Sequence, residues 1–156
     1  GKPTMLGVIT GAVAGLVAIT PAAGFVDVFG AIGIGILVSL VCYFMVAFVK
    51  SKLGYDDSLD AFGVHGIGGI VGALATGLFA TTAINPGGAN GLFFGNPKQL
   101  LIQAIAVGCT LLYTLVGSFI LFKLVDMVFG LRVKEKDEVI GLDLSQHHES
   151  AYTLIE

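Results

Sequence analysis

Four long runs of the sequence contain no aspartate, glutamate, lysine or arginine, and this feature limits the possible folds most strongly. The runs cover residues 3–26, 28–49, 61–97 and 99–122. A helix needs about 20 apolar residues to cross the hydrocarbon core of a bilayer, and each run is long enough. Only 12% of all residues are charged, against roughly 25% in soluble domains. The sequence therefore predicts an all-α integral membrane helical bundle and disfavours a soluble domain.

Turn-forming residues divide these runs into four predicted transmembrane helices. Pro21 and Gly24 end the first helix, and the polar link KSKLGYDDSLD separates the second helix from the third. Asp57 or Ser58 can cap the start of the third helix, and Pro97 is a favoured first-turn residue for the fourth. The predicted spans are about 4–20, 28–50, 58–83 and 97–131, in a membrane domain of residues 1–131 that is followed by a tail of residues 132–156.

Lysine and arginine predict the orientation of these spans. With four spans, one side of the membrane carries most of the positive charges, and only Lys98 lies on the other side. The first side holds Lys2, Lys50, Lys52, Arg132, Lys134 and Lys136. Because cytoplasmic loops are enriched in lysine and arginine, we expect both ends of the chain in the cytoplasm.

Glycines at every fourth position predict close helix packing. Gly7, Gly11 and Gly15 form such a ridge on the first helix, and Gly68 and Gly72 repeat the spacing on the third. Small residues at this spacing let two helix backbones approach each other closely in lipid. We therefore expect both ridges to lie in helix–helix contacts.

His65 is the single titratable side chain within residues 61–97. Counted from a cap near Asp57, it lies about 12 Å along the helix and inside the hydrocarbon core, so we expect a buried and neutral ring. An ionisable residue in a membrane span is costly, and such a residue is by default a functional hypothesis.

Two interpretations of His65 stay open. Its ring either hydrogen-bonds to a neighbouring helix simply to hold that helix, or it lines a pore for a small polar solute or a proton. The second interpretation is favoured by four nearby glycines that clear space around the ring, at positions 63, 66, 68 and 69.

The remaining polar residues predict neither an enzyme nor a cofactor site. Cys42 and Cys109 lie in apolar runs, so we expect them to be packing residues and not a disulfide or a metal pair. The segment His147, His148 and Glu149 lacks a further partner at helical spacing, so no metal site is predicted. No nucleophile–base pair, phosphate-binding loop or cofactor motif occurs, and the net charge of −3 gives no reason to expect nucleic acid.

Two stretches closely resemble the ammonium transporters of the Amt/Mep/Rh family: DDSLDAFGVHGIGGIVGALATGLFA and GKPTMLGVITGAVAGLVAITPAAGFV. The tail is similar to the cytoplasmic C-terminal region of that family through GLRVKEKDEVIGLDLSQHHESAY. The resemblance implies a homotrimer whose subunits have about eleven membrane helices in two inverted halves, of which this chain matches helices eight to eleven. Because the chain opens on Gly1 and no signal peptide stands before it, we expect it to be part of a longer protein whose N-terminal helices are missing here.

The resemblance also implies site residues. His65, in the motif FGVHG, matches the pore histidine of the family's second half, whose partner histidine belongs to a fifth helix that this chain does not include. Asp60 matches an acidic residue near the inner end of the same helix, where we expect it to cap the helix or to order the link before it. Val13 on the first helix is expected to face the pore.

In the tail, three residues stand at positions that match the family's tail motif: Asp143, Ser145 and Tyr152. The resemblance implies that this tail packs on the next subunit of the trimer and couples the pores. It also implies a PII-type signal protein as a cytoplasmic partner, and phosphorylation at the position of Ser145 in plant relatives. His148 stands where the motif usually has glycine, and a positive φ there would strain it.

Three functional hypotheses follow. The leading one is the C-terminal part of a transporter in the plasma (inner) membrane, which passes ammonium or ammonia through a hydrophobic pore lined by His65. The alternative is an ammonium sensor whose tail signals to a PII-type or other cytoplasmic partner. The third is a stand-alone four-helix assembly protein.

Overall fold

The computed structural model describes residues 4–150, and within that range the chain consists of helices and loops without a strand. Its α-helices are α1 (Met5–Ile19), α2 (Val28–Phe44), α3 (Lys50–Leu53), α4 (Ile67–Phe79), α5 (Pro97–Val128), α6 (Glu135–Ile140) and α7 (Leu142–Ser145). The first π-helical segment (Met45–Val49) joins α2 to α3, and the second π-helical segment (Ala61–Gly66) leads into α4. Short 3₁₀ turns occupy Thr20–Ala22 and Leu92–Phe94.

Four helical stretches are long and apolar enough to cross a membrane. They are Met5–Ala22, Val28–Leu53, Ala61–Phe79 and Pro97–Val128. The predicted all-α fold with four membrane-length helices is therefore confirmed, and the chain is a multi-pass membrane protein.

Three ends of these stretches differ from the approximate predicted ends where the backbone leaves the helical conformation. The second stretch continues past residue 50 to Leu53, because Gly54 ends it at a φ of 65°. The third begins at Ala61 instead of residue 58, since Asp60 before it has a φ of 54°. It stops at Phe79 instead of residue 83, because Ala80 is extended, with a ψ of 142°.

The chain forms two compact units, the first ending at Leu111 and the second beginning at Leu112. In the first unit, α1, α2 and α4 pack on one another around a core of small and branched residues. The core comprises Ala14, Ala18, Ala22, Ile34, Val38, Cys42, Val64 and Ala75. Small side chains dominate because helices in lipid gain stability from close packing and not from a hydrophobic driving force.

The glycine ridge on α4 lies in a helix contact, as predicted. A Cβ atom on Gly72 would overlap the backbone of Ala18, and one on Gly68 would come within 3.4 Å of Val17 Cγ1. The ridge on α1 behaves differently, because Cβ atoms on Gly11 and Gly15 would meet open space. The expectation of a helix contact at those two glycines is therefore wrong within the described chain, since the side of α1 that packs on α4 is formed by alanines and valines instead.

We predict that Gly72→Ala destabilises the first unit by about 1–3 kcal/mol, because the new methyl group meets backbone atoms that have no rotamer to change. The measurement is the thermal unfolding midpoint of the purified protein in detergent. Gly69→Ala is the matched control, because a Cβ at that position meets nothing within 4 Å. Equal midpoints for the two variants would contradict the assigned contact between α1 and α4.

Candidate functional site

His65 lies in the second π-helical segment, and its side chain is exposed on the surface of the first unit. The adjacent Val64 is only 3% exposed and belongs to the core. Successive residues of a helix point about 100° apart, so the burial of Val64 against α2 turns His65 away from the core. The described part of the first unit leaves this ring uncovered, and the expectation that the ring is buried in the hydrocarbon core stays a prediction.

The imidazole of His65 has no hydrogen-bond partner among residues 4–150. Its neighbours on the same helix face are apolar or small, with Phe62 exposed and Gly69 half-buried. The interpretation that His65 serves to tie α4 to α1, α2 or α5 therefore receives no support from any contact in the described part of the chain.

The helix turn that carries His65 is wider than an α-helical turn. The Ile67 N–H reaches back to the carbonyl oxygen of Phe62, five residues earlier, as well as to that of Val64. Segments of π-helix are rare, and they occur frequently at functional sites. This turn was not predicted from the sequence, because no residue pattern separates a π turn from an α turn.

A group of three charged residues, which we name the Lys50 latch, holds the link before this turn. Lys50 Nζ donates to Asp60 Oδ1 at 2.7 Å and to the backbone oxygen of Asp57 at 2.5 Å. The carboxylate of Asp57 accepts the N–H of Phe62 and the N–H of Gly63, both at 3.1 Å. The Lys50 latch comprises Lys50, Asp57 and Asp60.

The residues that were predicted to cap or support the start of the third helix have different contacts. Asp57 caps the helix through its two carboxylate oxygens. The Ser58 hydroxyl instead donates to Asp56 Oδ1 at 3.1 Å. Asp60 makes no side-chain cap, and its carboxylate instead pairs with Lys50 across the link.

The cap formed by Asp57 is ionised at neutral pH. Desolvation raises the pKa of this carboxyl, but the hydrogen bonds from Gly63 and Phe62 and the charge of Lys50 outweigh that effect and hold the pKa below its usual range. Because the pKa is lowered in the folded chain, the stabilisation is present above the ordinary pKa of aspartate and is lost as the pH falls through the lowered value.

Val13 is half-buried on α1, where it packs against the core cluster. Its role in lining a pore stays a prediction.

A shallow groove of about 350 Å³ runs between α4 and the first part of α5, beginning one residue from His65. One wall is formed by Gly66 of the second π-helical segment and by Gly69, Ile70 and Ala73 of α4, and the α5 wall includes the polar side chains of Gln103 and Thr110.

In the second unit, the two short helices of the tail are joined by polar contacts. Arg132 donates to both carboxylate oxygens of Glu138, at 2.8 and 3.0 Å, and this pairing holds the pKa of Glu138 below its usual range. The Arg132 side chain is largely exposed, so the pair contributes little to stability. Ser145 is half-buried, and its Oγ lies 2.9 Å from the carbonyl oxygen of Gly141.

Of the other two tail candidates, Asp143 lies in the first turn of α7. The backbone oxygen of Asp143 accepts the N–H of Glu149 at 2.9 Å, which closes the turn after that helix. Tyr152 lies outside the residues that the structure describes.

His148 adopts a φ of 56°, which is the left-handed conformation that glycine favours. A non-glycine residue pays about 1–2 kcal/mol for this conformation. His148 therefore has the positive φ that was expected to strain a residue other than glycine at this position.

We predict that His148→Gly stabilises the turn after α7 by about 1 kcal/mol, because glycine adopts a positive φ without the steric cost. The measurement is amide hydrogen exchange across residues 142–149, which should slow about fivefold. His147→Gly is the control, because His147 has a negative φ and its replacement should speed exchange. Faster exchange in His148→Gly would contradict the strain.

Comparison with known proteins identifies relatives of the whole chain. The sequence profile of the Ammonium Transporter Family matches residues 1–152. An ammonium transporter of Bacillus subtilis is 52% identical over 151 residues, which are 97% of this chain and 37% of that protein. An ammonium transporter of Aquifex aeolicus is 54% identical over 154 residues, covering 99% of this chain and 36% of that protein.

The fold is also similar to a solved structure. The crystal structure of Mep2 from Candida albicans matches with a TM-score of 0.80 and 35% identity, over 94% of this chain and 33% of that one. The chain thus spans about 37% of the Bacillus subtilis relative and a comparable share of the others. The matched proteins are named as transporters and not as enzymes.

Proposed function

Because the chain belongs to the ammonium transporter family, we propose that it forms the C-terminal part of a transporter that passes ammonium or ammonia through an apolar pore lined by His65. Helices outside this chain complete the pore on the exposed face of the second π-helical segment.

The observation that carries the proposal is the position of His65. Its ring sits on an exposed, otherwise apolar face of a membrane-length helix, without a hydrogen-bond partner among residues 4–150. Ionisable residues in membrane spans almost always face a bundle interior or a water-filled cavity, because lipid cannot satisfy their hydrogen bonds. The face around His65 is therefore an internal surface of a larger assembly.

The chemistry of the ring suits a small polar solute that gains and loses a proton. In its neutral form an imidazole offers one donor and one acceptor, so it can accept a proton or a hydrogen bond on one side and donate on the other. Transfer of a bare cation into an apolar channel is costly, whereas a neutral amine avoids most of that cost. An apolar lining with one histidine therefore favours passage of ammonia, with the proton separated from it or relayed by the ring.

Membership of this family also supports a proposal for the partners and the location of the protein. No residue of the 32-residue helix α5 is buried, so its apolar surface is available to lipid and to other subunits. We place the protein in the plasma (inner) membrane as a homotrimer. The lysine and arginine distribution supports a C-terminus in the cytoplasm, where a PII-type signal protein is the proposed partner.

We predict that His65→Ala abolishes or reroutes ammonium transport without unfolding the protein. If the ring moves the proton, the rate should fall by about 10²-fold or more. The measurement is ammonium-driven current and flux in liposomes that contain the full-length protein, with Cys109→Ala as a control at an exposed position of α5.

Two other results would contradict the proposal. Normal transport by His65→Ala, with a reduced yield of folded protein, would give the histidine a purely structural role. A full-length wild-type protein without flux, whose ammonium-dependent binding of a PII-type protein is intact, would favour a sensor.

For the tail, we predict that truncation after Arg132 lowers flux and leaves membrane insertion intact. The reason is that the deleted residues include α6 and α7, which hold Asp143 and Ser145. Truncation after Ser150 is the matched comparison, because it keeps both helices and removes Tyr152. Unchanged flux in both truncations would restrict the tail to partner binding.

A further inference from the structure

We propose that the Lys50 latch is a positioning device for the pore histidine: Lys50, Asp57 and Asp60 hold the second π-helical segment in the conformation that directs His65 out of the core. This inference rests on the pore role of His65 proposed above. The three residues do not touch the solute, and they act through the backbone of Ala61–Gly66.

The two π-helical segments contact each other. A Cβ atom on Gly63, in the second segment, would come 2.8 Å from Val46 Cγ2 in the first. Gly63 is buried and Val46 packs against the core cluster. Both wide turns therefore meet at one place between α2 and α4, where each limits the conformation of the other.

One amine, that of Lys50, joins the two segments. Lys50 directly follows the first segment, and Asp60 directly precedes the second. Their side chains are about one quarter exposed and meet at 2.7 Å. Lys50 Nζ also donates to the backbone oxygen of Asp57. It therefore holds both ends of the turn from Asp57 to Asp60, which directly precedes the second π-helical segment.

Asp60 and Asp57 together set the direction of the backbone where it enters the second π-helical segment. Asp60 has a left-handed backbone, with a φ of 54° and a ψ of 27°, which aspartate and asparagine tolerate better than other side chains. The N–H groups of Phe62 and Gly63, which follow Asp60 in the chain, donate to the carboxylate of Asp57. The first donors of the π-helical segment are therefore fixed in direction before His65 is reached.

The π-helical geometry of Ala61–Gly66 affects the direction of the His65 ring. A π turn spans one more residue between its bonded groups than an α turn. Conversion of Ala61–Gly66 to α-helix would therefore rotate the residues at its start by about 100° against α4, and part of this rotation would fall on His65. The core face of α4 cannot follow, since Gly72 is locked against the Ala18 backbone.

A further contact supports the wide turn from the side of α2. The thiol of Cys42 lies 3.9 Å from the carbonyl oxygen of Val64, the residue before His65, and both residues are buried. A thiol is a weak donor, so this contact supplements the latch and does not replace it.

The test uses the full-length protein in liposomes and the variants Asp60→Asn and Lys50→Gln. Asp60→Asn keeps the tolerance for a positive φ and removes the charge, whereas Lys50→Gln leaves the link's backbone sequence unchanged. We expect both variants to lower the maximal transport rate about tenfold or more with little change in KM, because misplacement of a reacting group by about 1 Å is enough for such a loss.

A second readout reports on the ring itself. In protein labelled with ¹⁵N-histidine, the His65 ring signal is assigned by its absence from His65→Ala. We expect this signal to shift in Asp60→Asn and Lys50→Gln, and Lys50→Arg to restore both rate and signal because a guanidinium can bridge the same acceptors.

Tyr55→Phe is the matched control in the same link. The Tyr55 ring packs edge-on against Phe62 at 5.7 Å, while its hydroxyl is buried and makes no hydrogen bond within residues 4–150. Removal of that hydroxyl should change neither the rate nor the signal.

The outcomes separate this inference from the proposed function. Loss of transport in His65→Ala, together with normal rates in Asp60→Asn and Lys50→Gln, would overturn the positioning role alone. A lower rate with an unshifted His65 signal would also overturn it, because the latch would then act elsewhere. Normal transport in His65→Ala would instead refute the pore role. If Asp60→Asn fails to fold, Lys50→Gln and Lys50→Arg carry both readouts.

Discussion

The interior of a bilayer offers no hydrogen bonds, and every feature of this chain follows from that constraint. The backbone satisfies its own polar groups in helices, so four long apolar runs become four helices. Charged side chains lie in the links, in the tail or near the ends of the membrane-length stretches. Before the third stretch, Lys50, Asp57 and Asp60 are joined by hydrogen bonds. The single ionisable side chain inside the third helix, His65, is the exception. An exception of this kind is costly, and it therefore indicates function.

The exposed position of His65 and the tight packing beside it have one physical origin. Glycine at position 72 allows α4 to approach α1 until backbone nearly meets backbone. That contact fixes which face of α4 is internal to the first unit, and the wide turn before it sets the direction of His65. The Lys50 latch lies at the polar end of this turn, where water can solvate charges and an ion pair costs little to form. Polar chemistry at the membrane surface thereby controls a residue that lies within the apolar region.

The sequence predicted the four membrane-length helices, and several of their ends lie three or four residues from the approximate predicted positions. Long uncharged runs are sufficient to identify spans, because the bilayer selects for length and composition and not for detailed packing. The ends depend on single left-handed residues such as Gly54 and Asp60, whose conformation is set by tertiary contacts. The same limit applies to the site. His65 stood out from its apolar surroundings, but its exposure depended on which face of α4 meets α1. Lys50 was interpreted only as a marker of orientation, because its partner Asp60 lies ten residues away in a link without regular structure.

The central claim is that the exposed face around His65 is half of a pore. An electron cryo-microscopy structure of the full-length protein in lipid nanodiscs tests it most directly. We expect protein from outside residues 1–156 to enclose the His65 ring, with a ring nitrogen about 2.7–3.2 Å from a polar group. A His65 ring that faces lipid acyl chains would contradict it.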